Sequence, residues 1–447
     1  MAKTMQNYLP IARICKRFYA RNRLKVVYIF AFLAIAFSIF SCYAPNPNIT
    51  SSGSRTNAYD FSSLYNPGKS ILHPAQRVYI NSDSTAILFF NIAISELRNI
   101  QEKKDTNKLK LNTRYVLRNY ETNEISDSSS NIFFTDNDRN LKKLSSYLNI
   151  KIYEKKKYRL VSLFWGNSLN NIKRTLAFID NTTTFSKDNF LLEKINDTST
   201  EIVYNDFVHP RAPYIIRSVN KEKISIEYYK FPNYTVRPPH SIFITTINQA
   251  EADTVFEYKF GDTIYFPEKG TYFLKDQSQE KPSLILLAVN NSYPDILTVG
   301  DMLEPLKLVT TSKEYKKIQE SENIKKEIDS FWISRSNNQK IAKEQILVFY
   351  NRVKLANTYF SENIEGWKTD RGNIYVIFGP PSTVNISDTQ EEWFYGENPN
   401  IAALSFVFEK KENPYFGTSY QLIRDNTYQP NWAQALSTWR KGRVFTF

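Results

Sequence analysis

Between residues 71 and 290 the apolar residues come in short runs, broken by polar clusters and prolines. That punctuation points to β-structure and leaves little room for long helices. Thr85-Ala86-Ile87-Leu88-Phe89-Phe90-Asn91-Ile92 reads as a strand buried on both faces. Leu109, Leu111, Thr113, Tyr115 and Leu117 alternate with Lys110, Asn112, Arg114 and Val116, the pattern of a half-buried strand. Ile150–Tyr153, Arg159–Phe164 and Thr175–Ile179 continue the series, and Ser126-Asp127-Ser128-Ser129-Ser130-Asn131 reads as a turn cluster. A second series contains Ile224–Tyr228, Ile242–Ile244, Val255–Tyr258 and Leu284–Leu287, punctuated by Pro210, Pro213, Pro232, Pro238-Pro239, Pro267 and Pro282. The spacing predicts two immunoglobulin-like sandwich modules, over 71–198 and 199–295. No repeat links them, so one irregular β-domain is the alternative.

Composition agrees. The 447 residues suffice for two or three domains, 42% are hydrophobic and 23% charged, and the 29 Tyr and 31 Phe favour β-rich structure. The chain has 12 Gly, 3 His and 2 Cys, and one Cys lies in the leader. That excludes a disulfide framework, a zinc ribbon and an iron–sulfur site. There is no Gly-rich phosphate loop and no HExxH helix, so no cofactor and no metal is expected. His73, His209 and His240 lie far apart beside prolines and read as loop surface.

Residues 1–41 have the layout of a secretory signal. Lys3, Arg13, Lys16, Arg17, Arg21, Arg23 and Lys25 carry seven positive charges without an acid, so only +6 of the formal +13 belongs to the rest. That weakens any nucleic-acid reading. Val26 to Phe40 is apolar, and Ile39-Phe40-Ser41-Cys42 resembles a bacterial lipobox, with Cys42 the expected site of lipidation. An uncleaved anchor over Val26–Ala44 is the alternative. Either way the body lies outside the cytoplasm. Residues 42–70, with Pro45, Pro47 and Ser51-Ser52-Gly53-Ser54, read as a flexible tether. Tyr43 is not Asp and no acidic cluster follows Cys42. Those features favour the periplasmic face of the outer membrane. Asp83-Ser84-Thr85, Asp253-Thr254-Val255 and Asp262-Thr263-Ile264 fit an O-glycosylation pattern, but composition alone predicts about as many matches.

From 296 to 447 the pattern changes. Thr311 and Glu314 form a candidate capping box. Ile324, Ile328, Phe331 and Trp332 share one helix face, and Ile346, Phe349, Val353, Ala356 and Phe360 form the apolar stripe of a second helix. Gly366-Trp367-Lys368-Thr369-Asp370-Arg371-Gly372 then reads as a helix-to-strand joint. Gly366 suits a left-handed cap, Trp367 pins the joint, and Thr369 and Asp370 bond nearby backbone N–H groups. Arg371 has charged partners to find. Asn373–Phe378 is apolar on both faces and predicts a central strand, stopped by Gly379-Pro380-Pro381. Trp393–Tyr395, Leu404–Phe408 and Tyr420–Ile423 predict further strands. Trp432–Trp439 predicts a short terminal helix, and Phe445-Thr446-Phe447 a terminal strand or docking tail. The fold class expected is therefore mixed: all-β sandwich modules, then an α+β domain of a helical hairpin on an antiparallel sheet.

Gly366-Trp367, Thr369 and Asp370 resemble the signature of the GWxTD domain, a family of envelope proteins and predicted lipoproteins found largely in Bacteroidota. Phe331-Trp332, Asn351-Arg352-Val353, Ala356-Asn357, Arg371-Gly372, Gly379-Pro380-Pro381, Glu392-Trp393 and Tyr395 extend the resemblance over about 300–425. The resemblance implies a place in an envelope complex, with outer-membrane protein assembly, secretion or gliding as settings. The expected role is a non-catalytic scaffold that is held to the outer membrane by lipid and binds an integral barrel protein. A polysaccharide- or cell-wall-binding module is the alternative. A hydrolase is a further one, with Glu365 and Asp370 as paired carboxylates, Arg371 tuning them and Trp367 as a sugar platform.

Overall fold

The computed structural model describes residues 60–101, 107–153, 155–219, 222–231, 236–242, 251–276, 282–336, 338–387, 389–396, 404–413 and 417–447. The leader, Cys42 and the expected tether as far as Tyr59 lie outside the described residues, as does most of the strand expected at Ile242–Ile244. The rest of that tether does not behave as one. Residues 60–70 hold a short helix α1 (Ser62–Tyr65) and are packed down. Phe61 N–H donates to Val384 O at 2.8 Å, and Tyr375 hydroxyl donates to Tyr65 O at 2.7 Å. The Tyr65 ring lies 4.9 Å from Phe360 and 5.6 Å from Trp393. Phe61 and Tyr65 are both buried, and burying two aromatic rings outweighs the ordering entropy of a few residues.

The first module contains β1 (Ala75–Ser82), β2 (Thr85–Ala93), α2 (Ile94–Asn99), β3 (Lys108–Asn119), β4 (Ile125–Asp136), β5 (Lys143–Lys151), β6 (Lys157–Trp165) and β7 (Lys173–Asp180). Two antiparallel sheets, β1-β2-β5 and β4-β3-β6-β7, enclose one core. Leu88, Phe90 and Ile92 from one sheet meet Leu111, Leu117 and Phe164 from the other. The serine cluster at 126–131 is not a turn but the first half of β4, an edge strand in register with β3 (Arg114↔Ser130). A ladder needs backbone partners on one side only, so an edge strand tolerates small polar side chains that face water.

The second module contains β8 (Leu191–Ile195), β9 (Thr200–Ile202), β10 (Phe207–Val208), β11 (Tyr214–Arg217), β12 (Lys223–Lys230), β13 (Thr254–Lys259), β14 (Thr263–Ile264), β15 (Gly270–Lys275) and β16 (Leu284–Ala288). Its sheets run β10-β16-β15-β12-β13 and β14-β11-β8-β9, with β10 and β16 parallel. Ile226, Leu274 and Leu286 face Leu192, Tyr214 and Ile216 across the interior. The two modules are joined by Arg77, whose guanidinium is buried and donates to Asp206 at 2.6 Å and to Phe190 O at 3.2 Å.

The third part contains α3 (Val299–Leu303), α4 (Ser312–Gln319), α5 (Ile324–Ile333), α6 (Gln339–Phe360), α7 (Asp370–Phe378), β17 (Thr383–Ile386), β18 (Gln390–Tyr395), β19 (Leu404–Asn413), β20 (Gly417–Leu422) and α8 (Gln429–Arg440). The strands form an antiparallel meander in chain order. Thr311 and Glu314 make the predicted capping box, and Phe349, Val353, Ala356 and Phe360 of the predicted stripe are buried. One segment is of the wrong kind: Asn373–Phe378 is helix, not strand. Every residue from Arg371 to Phe378 is buried, so a run apolar on both faces here belongs to a helix enclosed on all sides. The tail docks on that helix, with Phe445 and Phe447 rings 5.5 and 6.1 Å from Phe378.

Candidate functional site

The signature sits where α6 ends and α7 begins. Gly366–Lys368 is one tight turn, and Thr369 is the N-cap of α7. The Thr369 hydroxyl accepts from Gly372 N–H at 3.1 Å and donates to Gly366 O at 2.8 Å. Gly366 N–H donates to the Tyr293 hydroxyl at 3.2 Å, and Trp367 N–H donates to Asn357 Oδ1 at 3.1 Å. Trp367 is buried.

Gly366 is not the left-handed cap expected of it. Its requirement is space. A Cβ there would lie 2.1 Å from Ala356 O of α6, and a Cβ on Gly372 would lie 1.8 Å from Gly366 O. The signature turn is thus wedged between the backbones of α6 and α7, and both glycines are fixed by contact with carbonyl oxygens that cannot move aside. Gly379, with φ +88°, ends α7, and Pro380 follows it.

Each charged residue of the signature has its own partners. Asp370 accepts from Leu422 N–H at 2.9 Å and pairs with Arg424, whose other nitrogen donates to Pro238 O at 2.6 Å. Burial raises the Asp370 carboxyl, while Arg424 and the Leu422 N–H oppose that rise. Arg371 is buried between Glu391 at 3.0 Å and Glu362 at 3.2 Å, with its guanidinium 3.8 Å from the Tyr420 ring centre. Trp393 Nε1 donates to Glu391 Oε1 at 2.6 Å. Two carboxylates therefore share one guanidinium, and burial pushes the Glu362 carboxyl up to about 7 against the pull of Arg371 and the Tyr420 N–H. Glu365 pairs with Lys368 at 2.9 Å. Glu365 and Asp370, the carboxylates a hydrolase would need, are thus each engaged with a different cation.

The far end of α7 is closed by residues from distant parts of the chain. Arg352 donates to Val376 O at 3.3 Å and Ile377 O at 3.2 Å, and to Phe445 O at 2.9 Å. Trp439 Nε1 donates to Ile377 O at 2.9 Å, and Tyr395 hydroxyl to Gly379 O at 2.9 Å. A cation at a helix C-terminus offsets the partial negative charge there, which suits a buried arginine held by carbonyls. Burial lowers the Arg352 guanidinium to about 10. The sequence pattern assigns no role to Arg352 and Asn357 and does not point to Glu362, Glu391, Arg424, Tyr65 or Tyr293. The available signal was polar residues placed on the apolar side of α6, where Gln345, Arg352 and Asn357 are buried.

Two of the histidines are held by hydrogen bonds. His73 bonds Glu96 at 3.0 Å, which raises it, and His209 bonds Asn290 O at 3.1 Å but is lowered by burial. Among the described residues no group of His, Cys, Asp and Glu is arranged to hold a metal, and no helix is long and apolar enough to cross a membrane.

Residues 270–441 match the model of the GWxTD domain. This part of the chain is a GWxTD domain. The match begins at Gly270, the first residue of β15, and so takes in two strands of the second sandwich. No curated protein matches the chain. Among solved structures it is similar to a glycosyl hydrolase family 2 member from Bacteroides cellulosilyticus DSM 14838, at 10% identity and a TM-score of 0.18 over 31% of this chain and 19% of that one. It is similar to Bacteroides uniformis beta-glucuronidase at 6% identity and a TM-score of 0.17, over 31% of this chain and 16% of that one. Red sea bream transglutaminase gives 7% identity and a TM-score of 0.18, over 50% and 32%. The chain spans at most 32% of the length of these three proteins, and none bears on what it does.

Two outcomes follow for the GWxTD joint. Gly366→Ala and Gly372→Ala lose about 3 kcal/mol or more, or fail to fold, because backbone must move. Gly300→Ala, whose Cβ meets nothing nearer than 3.7 Å, stays within about 1 kcal/mol of wild type. Urea melts followed by tryptophan fluorescence decide it, and near-wild-type midpoints for both joint variants would contradict the wedge. The second outcome concerns Glu362. Its folded form holds a proton up to about pH 7, whereas the unfolded chain releases it near 4.5. That contribution is full below pH 4.5 and is lost as pH rises through 7, up to about 3 kcal/mol. Glu362→Gln removes the loss, so the variant is the more stable protein at pH 8 and gains little at pH 4.5. An equal difference at both values would rule out titration of Glu362.

Proposed function

We propose that the protein is a non-catalytic lipoprotein of the outer membrane, facing the periplasm, that serves as a scaffold or binding subunit of an outer-membrane protein complex. The observation that carries this reading is the internal commitment of the signature. Thr369, Asp370 and Arg371 are bound to the domain's own groups, so the motif stabilises a platform instead of meeting a substrate. The leader ending in Ser41-Cys42 supports lipid anchoring, and several acyl chains bury enough CH₂ for stable attachment. The part-buried ion pair Arg77–Asp206 between the two modules supports a body able to present surfaces away from the membrane. The glycan-binding alternative has less to stand on, because five of the six Trp (Trp332, Trp367, Trp393, Trp432 and Trp439) are buried and only Trp165 is half-buried, although Tyr147, Tyr153 and Tyr265 are exposed.

The test is fractionation and gentle-detergent co-purification of the tagged native protein. Wild type is expected in the outer-membrane fraction with a barrel protein in stoichiometric amount, and Cys42→Ala to leave that fraction. Retention of Cys42→Ala in the membrane would favour an uncleaved anchor. Recovery of the protein alone from wild-type membranes would sink the subunit reading.

A further inference from the structure

One end of the second sandwich carries a groove of about 670 Å³, a size suited to a short segment of polypeptide or a small ligand. Its walls come from one end of the sandwich: the turn between β10 and β11, the end of β12, the turn before β15, and the chain after β16. Pro210 and Phe231, both half-buried, and the exposed Pro267 give it apolar walls. The Tyr228 ring forms the floor. It is buried, and its hydroxyl donates to Lys269 O at 3.0 Å.

The rim is cationic. Arg211, Lys230 and Lys269 are exposed, and none forms an ion pair or side-chain hydrogen bond among the described residues. Glu268 is the single acid in the lining, and Asp253 lies close by with its carboxylate on the Lys230 N–H at 2.9 Å. The rim is also fixed in place. Tyr272 hydroxyl donates to Glu268 O at 3.1 Å and accepts from Glu268 N–H at 3.2 Å. Arg211 has φ +68°, a conformation costing a residue with a Cβ on the order of 1 kcal/mol. The turn that holds it there is closed by Ala212 N–H on His209 O at 3.2 Å. A strained arginine and two lysines thus stand together at one rim with no ion-pair partner among the described residues.

We infer that this groove docks an acidic, extended segment of a partner protein, with carboxylates at the three cations and an apolar side chain against Phe231 and the prolines. Asn290 and Asn291 complete the lining with polar side chains. A saccharide fits less well, because the floor ring is buried instead of presenting an open face. The inference rests on the scaffold reading above and names the chemistry of its partner.

The test uses the full chain in detergent and a fluorescein-labelled Glu-rich decapeptide with one central Leu, read by fluorescence anisotropy. Binding is expected to weaken about tenfold or more in the triple variant Arg211→Gly/Lys230→Gln/Lys269→Gln, and to weaken with salt. It should stay within about twofold in Lys340→Gln/Lys343→Gln, which removes exposed charge from α6, far along the chain. All substitutions are at exposed positions, and glycine at 211 relieves strain, so folding is retained. The inference is overturned by absence of peptide binding, by equal loss in both variants, or by a hyaluronan hexasaccharide binding where the peptide does not. The co-purification separates the two levels. A barrel partner recovered with wild type and with the groove variant alike overturns the groove and leaves the scaffold reading standing.

Discussion

The GWxTD domain depends on a helix that is buried along nearly its whole length. α7 is nine residues long and buried from Arg371 to Phe378, so its terminal N–H and C=O groups must find partners inside the protein. That requirement dictates much of what surrounds it. Thr369 caps the start. Arg352 and Trp439 take the last carbonyls, and Gly379 and Tyr395 close the exit. These partners come from α6, β18 and α8, so the elements of the domain converge on one short segment. The signature is the part of this arrangement that is contiguous in sequence.

Close approach and charge satisfaction then reinforce each other. Gly366 and Gly372 let the turn press against α6 and α7, and that depth buries Arg371 and leaves Asp370 only partly exposed. Buried charges are tolerated only when paired. Glu362 and Glu391 meet one, and Arg424 meets the other while reaching the 237–238 segment of the second sandwich. The same burial pushes the Glu362 carboxyl up to about 7, against the pull of Arg371 and the Tyr420 N–H. Tyr65 and Phe61 complete the structure from the other end of the chain, so the first described residues are anchored to the last domain.

Much of the fold was legible in sequence. Alternation revealed the sandwich strands, and the stripe at Phe349, Val353, Ala356 and Phe360 revealed α6. The failures share a cause. A run apolar on all sides, such as Ile374–Phe378, satisfies a central strand and an enclosed helix equally. The serines of β4 looked like a turn because edge-strand ladders place no demand on side chains. Arg352, Glu362, Glu391 and Tyr65 are separated by tens to hundreds of residues, and no local pattern says they meet. Gly366 was read by its backbone freedom, whereas its need is proximity to Ala356, a distance visible only after folding.

A domain organised around one enclosed helix is suited to stay rigid while its surfaces engage others. Native-state hydrogen exchange tests that central claim most directly. The amides of residues 373–378 are predicted to exchange only through global unfolding of the GWxTD domain, with the same denaturant dependence as the buried middle of α6. Exchange of those amides through a local opening, faster than that of α6 and insensitive to denaturant, would contradict it.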